Sequence, residues 1–362
     1  MNLYGLTLAE LQVLVADLDQ PSYRARQIAE WLYHHHVESV DAMTNLPRGL
    51  KESLSEGAGI RTPAGSEAGE STDGTARWVW DTFGGDLYES AVIPDRRRLT
   101  LCVSSQSGCR VGCAFCLTAR IGLRQDLSPA EIVGQFRNVT CRDSVTHVVF
   151  MGMGEPLHNL EALMSSLEIL TSPWGYGISP RRITVSTVGI LPQLERLLDR
   201  TDVNVALSVH AARTEERLRL VPSERDQPVA TTIDLLRHRA RLALPPFTGI
   251  GRRRVSIEMT LMDGVNDSVE HARALRELLA DLPVRVNLIP WNAFPGARFR
   301  SSSPQAIERY QEVLKASGLI TTIRQSRGQD IGAACGLLAG RRASAEKPGE
   351  AGTPDRAEDV GS

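Results

Sequence analysis

The 362-residue sequence predicts an α/β protein, a partial (β/α)6 barrel with a small N-terminal helical domain and a linking hairpin. From residue 99 onward, apolar runs of strand length alternate with helical stretches, which is the pattern of βαβ units. The strand candidates are mostly continuous apolar runs, as in a parallel sheet covered by helices. Six such units suggest a partial barrel, whose chemistry is expected at the carboxyl ends of the strands.

The N-terminal helical domain is predicted for residues 1–60. Leu8, Leu11 and Val15 fall on one face of a helix, and residues 23–33 repeat apolar side chains at helical spacing. These residues are therefore expected to form at least two amphipathic helices.

Residues 61–98 are predicted as a linker and a β-hairpin. A polar stretch rich in Gly, Ser and Thr precedes two β-rich runs, residues 75–80 and 87–93, which flank a Gly-Gly turn. Glu89 lies on the second of these strands. A carboxylate there is usually an exposed strand residue, so by itself it indicates little.

The barrel is predicted for residues 99–340. Its strand candidates are residues 99–105, 145–151, 182–186, 203–209, 255–261 and 284–289. Its clearest helices are residues 128–138, 160–170, 232–241, 269–279 and 305–317. Residues 341–362 lack apolar anchors and are predicted to be a disordered tail.

The composition predicts a cytoplasmic protein that does not associate with membranes. No apolar run reaches the ~20 residues that span a bilayer, and the N-terminus lacks the basic-then-apolar order of a secretion signal. The six cysteines are then expected to be metal ligands or catalysts rather than disulfides. The net charge of −2 gives no overall attraction to nucleic acid. Arginines nevertheless cluster locally, at residues 96–98, 181–182, 237–241, 252–254 and 298–300.

Three cysteines stand at the spacing C-x3-C-x2-C after the first barrel strand: Cys109, Cys113 and Cys116. Thiolates at that spacing can bind three irons of a cubane cluster and leave the fourth iron open to a small molecule. A structural zinc site would need a fourth Cys or His nearby, and none follows at the usual spacing. A structural metal knuckle or free thiols remain the alternative interpretation.

Polar residues follow the later strands. The segment MGMGEP, after the second barrel strand, contains Gly154 and Glu155. Glycine lets the backbone approach a ligand closely, and a carboxylate can accept hydrogen bonds from an ammonium group. Other polar side chains could bind ribose and carboxylate oxygens or position an adenosine: Ser186, Ser208, His210 and Asn292. Taken singly, such side chains more often satisfy the local backbone.

Three further cysteines stand outside the cluster motif. Cys335 is flanked by Gly332 and Gly336, which favours a flexible loop that exposes the thiol. Cys102 lies on the strand that leads into the cluster motif. Cys141 is interpreted as a small buried hydrophobic residue.

The segments LCVSSQSGCRVGCAFC, MGMGEP, RRITVSTVG, ALSVHA, NLIPWNAFPG and IGAACGLLAG stand in a specific order and spacing. In this the sequence resembles the RlmN family of radical SAM RNA methyltransferases, in which a cluster-bound iron holds S-adenosylmethionine (SAM). The resemblance runs from about residue 5 to residue 340. One departure is Ser107, where an apolar residue is expected.

The resemblance implies a radical SAM barrel and a role for each site residue. The ligands of a [4Fe-4S] cluster would be Cys109, Cys113 and Cys116. The SAM contacts would be Gly154, Glu155, Ser186, Ser208, Val209, His210 and Asn292. Cys335 would carry the methyl group, Cys102 would be its resolving partner, and Glu89 would accept a proton.

By this resemblance the reaction adds a methyl group to carbon 2 of an adenine, which is not a nucleophile. One SAM would methylate Cys335, which is a plausible nucleophile only if its pKa is depressed. A radical from a second SAM would take a hydrogen atom from that methyl group, and the resulting methylene would add to the adenine. Attack by Cys102 on the Cys335 sulfur would release the product and leave a disulfide.

The implied substrates are 23S ribosomal RNA at the peptidyl-transferase centre and the adenosine just 3′ of a tRNA anticodon. The target base would be flipped or lie in a loop. The N-terminal domain and the Arg-rich loops would form the RNA surface. A flavodoxin or ferredoxin would restore the thiols and the cluster, and a monomer is expected.

Other functions remain open at this point. A Cfr-type methyltransferase acting on carbon 8 of the same ribosomal adenosine shares the cluster and both cysteines, although the N-terminal segment favours the RlmN family. A small-molecule radical SAM enzyme or an electron carrier would not need Cys102 and Cys335. A non-catalytic RNA-binding protein would use the cysteine loop only for a structural metal.

Overall fold

The computed structural model describes residues 1–242, 244 and 255–340. The predicted tail at residues 341–362 and the arginines at 252–254 lie outside the described residues. The chain begins with three helices, as the sequence predicts for this segment: α1 (Leu8–Asp17), α2 (Tyr23–Tyr33) and α3 (Arg48–Gly57).

Helix α1 begins at a capping box. The Thr7 hydroxyl accepts from the backbone N–H of Glu10, whose carboxylate accepts from the backbone N–H of Thr7. Leu11 and Val15 on the same helix are fully buried, as their spacing predicts. The helices dock on the barrel partly through Tyr4, whose hydroxyl lies 3.0 Å from that of Tyr176.

The first four strands are antiparallel: β1 (Gly65–Glu70), β2 (Ala76–Asp81), β3 (Leu87–Asp95) and β4 (Arg98–Cys102). The pairing of β2 with β3 confirms the predicted hairpin. Strand β1 falls in the polar stretch and has no apolar alternation, because its residues are exposed or half-buried at the sheet edge. Gly65 permits its pairing, since a Cβ at this position would lie 2.0 Å from the Trp80 ring.

Six parallel strands continue the sheet from β4: β7 (His147–Phe150), β8 (Ile183–Thr187), β9 (Asn204–Ser208), β10 (Val255–Leu261), β11 (Arg285–Pro290) and β12 (Ile320–Ile323). The six predicted barrel strands correspond to β4 and β7 to β11. Strand β12 is a seventh that the sequence analysis missed. It is a short edge strand in which Ile320 and Ile323 are exposed, so it lacks the continuous apolar run of its neighbours.

The described sheet has ten strands in the order β1-β2-β3-β4-β7-β8-β9-β10-β11-β12. Strands β1 and β12 stand at its two edges, so the barrel is partial, as predicted. A separate two-stranded sheet, β5 (Gln106–Gly108) and β6 (Leu123–Asp126), brackets the cysteine loop.

The five predicted barrel helices are present as α5 (Pro129–Asn138), α6 (Leu160–Thr171), α9 (Val229–Arg241), α10 (Val269–Leu278) and α11 (Pro304–Ala316). Three shorter helices were not predicted: α4 (Leu117–Arg120), α7 (Gln193–Arg200) and α8 (Thr214–Leu220). No helix in the described part of the chain is long and apolar enough to cross a membrane.

Residues 324–340, here called the C-terminal strap, run from the β12 edge to the hairpin side of the sheet. The Ser71 hydroxyl in the β1–β2 turn donates to Asp330 of the strap over 2.6 Å. Further along, Ala333 packs with Ala91 of β3 in a small apolar cluster. The strap therefore spans the side on which the barrel is open.

Candidate active site

A cleft of about 980 Å³, counting its mouth, opens at the carboxyl ends of the parallel strands. The predicted site residues that line it are Cys109, Cys113, Cys116, Gly154, Glu155, Ser186, Ser208, His210, Asn292 and Cys335. The chain therefore places residues from six strand ends or loops around one space.

The cysteine loop is held by hydrogen bonds to the rest of the barrel. The N–H of Cys109 donates to the carbonyl of Gly122 over 3.1 Å, within the bracket formed by β5 and β6. At the other end of the loop, the indole N–H of Trp291 donates to the carbonyl of Phe115 over 2.9 Å. These contacts hold the loop in position at the cleft.

Burial disfavours the ionised forms of two thiols of the loop. Burial raises the pKa of Cys109 to about 12 and raises that of Cys113 well above its ordinary value. The guanidinium of Arg217 opposes this effect at Cys113. A metal group beside the thiols would reverse it, because a bound cation deprotonates a coordinating thiol.

Three half-buried thiols on one cleft wall fit an iron–sulfur cluster, in which each thiolate takes a different iron. Among the described residues, no three His, Cys, Asp or Glu side chains lie close enough together to hold a single metal ion.

Glu155 is a buried carboxylate at the carboxyl end of β7. Burial raises the pKa of Glu155 to about 7, although hydrogen bonds from Thr187, Val188 and Leu157 oppose the shift. The backbone N–H groups of Val188 and Leu157 donate to its two oxygens over 2.9 and 3.1 Å. Both oxygens are thus fixed in place, and a cation bound in the cleft would favour the ionised form.

The ends of β8 and β9 carry hydroxyl and imidazole groups. The Ser186 and Ser208 hydroxyls lie 3.3 Å apart. His210 has a positive φ of 61°, and its Nδ1 accepts from the Thr260 N–H over 3.1 Å. Burial, with a smaller effect of Arg217, lowers the pKa of His210 to about 3. Its imidazole is therefore neutral, so Nε2 carries the proton and can donate into the cleft.

The loop after β11 connects the cleft to the strap. The Asn292 side chain is buried, and its Nδ2 donates to the carbonyl of Cys335 over 3.0 Å. The Leu117 N–H donates to the carbonyl of Gly336 over 2.8 Å, which ties the strap to the helix after the cysteine loop. The strap therefore holds Cys335 beside Asn292 and beside the helix that follows the cysteine loop.

Residues 1–60 match the family described as the ribosomal RNA large subunit methyltransferase N-terminal domain, and residues 103–275 match the radical SAM superfamily. A dual-specificity RNA methyltransferase RlmN of Marinobacter nauticus is 43% identical, over 94% of this chain and 93% of that protein. The RlmN of Alkalilimnicola ehrlichii is 42% identical, over 94% of each. The chain belongs to the RlmN family.

The crystal structure of a radical SAM methyltransferase from Sphaerobacter thermophilus superposes with a TM-score of 0.85 at 39% identity. The alignment covers 94% of this chain and 100% of that one, so the fold is the radical SAM fold. Proteins of this superfamily use SAM and an iron–sulfur cluster, and the cysteine loop fits the latter.

Three residues that the RlmN resemblance singles out do not line the cleft. Val209 is buried and its N–H donates to the carbonyl of Glu258 over 3.1 Å, so its backbone supports the neighbouring strand end. Cys102 is the last residue of β4 and packs against Ala333 of the strap. Glu89 is buried and is described next.

Glu89 is tied to both the hairpin and the strap. Its carboxylate lies 3.2 Å from Arg77 Nη1 and accepts from the N–H of Ala339 over 3.3 Å. The general expectation for such a strand position, an exposed carboxylate, is therefore wrong here, because the strap covers β3.

The Cys335 thiol differs from expectation in one respect. The residue is exposed at the cleft, as its flanking glycines predict. Its pKa, however, is raised rather than depressed, because the protein around the thiol solvates a thiolate less well than water does, while Arg324 opposes the shift. At neutral pH the thiol is protonated, so a nucleophilic role requires removal of that proton.

The burial of Cys141 and of Ser107 corrects or explains an expectation from the sequence. Cys141 is half-buried rather than buried. Ser107 occupies a fully buried position, where its hydroxyl donates to the carbonyl of Leu87 over 2.8 Å. This hydrogen bond explains how a polar residue is accepted where an apolar one is expected.

Two candidate site positions are not predicted from the sequence. Glu258 lines the cleft on β10, and its Oε1 accepts from Ser256 and Asn287, each over 2.7 Å. A carboxylate within a predicted core strand was the signal that could have found it. Arg217 forms a fully buried ion pair with Glu224 and also donates to the carbonyl of Val188, which is remote along the chain.

Proposed function

We propose that this protein methylates carbon 2 of adenosine in 23S ribosomal RNA at the peptidyl-transferase centre, and in tRNA next to the anticodon. The observation that carries the proposal is the cleft itself, in which a three-thiol loop and Cys335 face one another. Membership of the RlmN family supports this reaction over the Cfr-type methylation of carbon 8, since the similar proteins named above are called RlmN.

The cofactors would be one [4Fe-4S] cluster and two SAM molecules per turnover. Cys109, Cys113 and Cys116 would be the cluster ligands. Glu155 would hold the ammonium group of SAM, and the hydroxyls and amide at the strand ends would hold its carboxylate, ribose and adenine, together with the backbone at Gly154 and Val209. The neutral His210 would donate a hydrogen bond to the same ligand.

Two thiols and one carboxylate would handle the methyl group. When bound, the cluster and SAM supply the methyl group, the hydrogen-abstracting radical, and a single electron that is afterwards returned. Cys335 would lose its thiol proton and form the S–C bond to the methyl carbon, which later joins the adenine. Glu89 would take the proton from carbon 2. Cys102, after loss of its own proton, would attack the Cys335 sulfur, so that the S–S bond forms as the S–C bond breaks, and the released carbon would take up the proton held by Glu89 to complete the methyl group.

The RNA surface is expected at the cleft end of the barrel and on the N-terminal domain. Arg298 and Arg300 are exposed and follow β11 toward the cleft. The arginines at residues 96–98 and 181–182 are also exposed, but they lie at or before the first residues of β4 and β8 and so stand at the opposite end. Contacts with phosphates near the target base are therefore assigned to the first group.

The remaining partners follow from this chemistry. A flavodoxin-type or ferredoxin-type electron donor would reduce the cluster and the disulfide. We further propose that the protein acts in the cytoplasm as a monomer, where thiols stay reduced and RNA is accessible.

The cluster assignment is tested by replacing Cys109, Cys113 or Cys116 with alanine, one at a time. Each variant is expected to lose its iron and sulfide and its SAM cleavage together, because two thiolates cannot hold the cluster. Cys141→Ala is the matched control and should keep all three. Iron and sulfide are measured after anaerobic purification. Normal SAM cleavage in any of the three variants would remove the basis of the proposal.

A further inference from the structure

The side-chain amide of Asn292 forms hydrogen bonds with the C-terminal strap through both its nitrogen and its oxygen. Its Nδ2 donates to the carbonyl of Cys335 over 3.0 Å, and its Oδ1 accepts from Gln329 Nε2 over 2.6 Å. Asn292 is buried, whereas Gln329 lies on the exposed side of the strap. A surface side chain thus reaches a buried residue of the cleft.

The Cys335 carbonyl determines which atom donates and which accepts in each of these two hydrogen bonds. The Cys335 carbonyl can only accept, so the Asn292 atom that faces it must be the amide nitrogen. Oδ1 then faces the strap at Gln329, which must offer a donor there. A glutamine supplies that donor, and a glutamate at this position would not.

The backbone of Gln329 is anchored on both sides. The N–H of Gly328 donates to Asp73 over 2.9 Å, and Asp330 accepts from Ser71 over 2.6 Å. Both anchors lie in the β1–β2 turn, on the far side of the barrel opening. These hydrogen bonds hold Gln329 in place independently of its contact with Asn292.

We propose that Gln329 is a positioning residue, which fixes the Asn292 amide and through it the place of Cys335 relative to the cofactor cleft. The inference rests on the proposed function, in which Asn292 contacts SAM and Cys335 carries the methyl group. With one N–H and one lone pair already used, Asn292 retains one N–H and one lone pair for a ligand. Ligand binding and the position of Cys335 are then coupled through a single amide, and the coupling is reciprocal.

The test is the rate at which iodoacetamide alkylates Cys335 in the cluster-loaded, full-length chain, with Cys141 as internal reference and mass spectrometry to separate the sites. The variants are Gln329→Ala, Gln329→Glu and the matched control Gln325→Glu, which adds the same charge to an exposed position of the strap. Gln329→Glu is also combined with Asn292→Ala.

Gln329→Ala is expected to accelerate alkylation of Cys335 about fivefold to tenfold, which corresponds to the loss of one hydrogen bond. Gln329→Glu should have at least as large an effect, because the amide must rotate and turn its oxygen toward the Cys335 carbonyl. Gln325→Glu should leave the rate within about twofold. In the Asn292→Ala background, Gln329→Glu should change nothing further, because its effect passes through Asn292.

Equal rates of Cys335 alkylation in Gln329→Glu and Gln325→Glu would overturn the inference. It would also be overturned if Gln329→Glu accelerated alkylation as strongly in the Asn292→Ala background as in the wild-type background. Addition of S-adenosylhomocysteine, which has no methyl group to give to Cys335, should change alkylation of Cys335 in the wild-type chain and change it less in Gln329→Ala. RNA methylation is assayed separately on untreated portions of the same preparations. If the wild-type chain methylates RNA but the Gln329 variants leave alkylation of Cys335 unaltered, only the role of Gln329 is rejected. If the Gln329 variants alter alkylation but the wild-type chain does not methylate RNA, only the proposed function is rejected.

Discussion

A Cys102→Ala enzyme is expected to accumulate a covalent protein–RNA adduct, with release of methylated RNA slowed roughly a hundredfold or more, the scale on which enzymes depend on a nucleophilic group. Cys102 packs against Ala333, two residues before Cys335 in the strap. Burial raises the pKa of Cys102, and the Cys335 thiol raises it further. Without Cys102, no thiolate can attack the Cys335 sulfur.

The adduct is detected as a shifted band on a denaturing gel that collapses after ribonuclease treatment. Cys102→Ala/Cys335→Ala should show no adduct, since the methyl carrier is gone, and Cys141→Ala should behave as the wild type. Free methylated RNA released by Cys102→Ala at the wild-type rate would contradict the assignment of Cys102.

Arg217→Met is expected to lower the free energy of unfolding by about 3–5 kcal/mol, the cost of removing one partner of a buried ion pair. Its guanidinium contacts Glu224, and it also donates to the carbonyls of Val209 and Val188 over 2.9 and 3.1 Å. Replacement would leave the Glu224 carboxylate buried without its cation and would free the strand ends that carry the candidate SAM residues.

Urea unfolding monitored by circular dichroism provides the measurement. The matched control is Arg196→Met, because Arg196 pairs with Glu161 over 2.7 Å on the surface and should cost less than about 1 kcal/mol. Equal losses in the two variants would show that the buried pair does not organise the strand ends.

The elements that the sequence predicted well carry a clear local pattern. Strand β10 has an apolar residue at every second position and is buried along almost its whole length, and helix α5 begins at the capping box of Ser128 and Glu131. Edge strands β1 and β12 carry no such pattern, since one face or both remain in solvent. Their pairing depends on neighbours that are remote along the chain.

The same distinction applies to the candidate site. The three cluster cysteines and MGMGEP are local motifs, and their meeting in one cleft follows from the shared carboxyl edge of a parallel sheet. Gln329 and Arg217 could not be found in this way, because their contacts with Asn292 and with the carbonyl of Val188 join residues that are remote along the chain. The raised pKa of Cys335 likewise depends on the surrounding protein, which no local sequence encodes.

The central claim, methylation of adenine carbon 2 in RNA, is tested most directly with substrates deuterated at that carbon. A 23S ribosomal RNA fragment and a tRNA are treated separately with the reduced enzyme and SAM, digested to nucleosides, and compared by mass spectrometry with synthetic 2-methyladenosine and 8-methyladenosine. Each RNA is expected to yield 2-methyladenosine with no deuterium on ring carbon 2, because the new C–C bond replaces the C–D bond; any deuterium that Glu89 returns would stand in the new methyl group. A product that matches 8-methyladenosine and retains the deuterium, or RNA that stays unmodified while SAM is cleaved, would contradict the account.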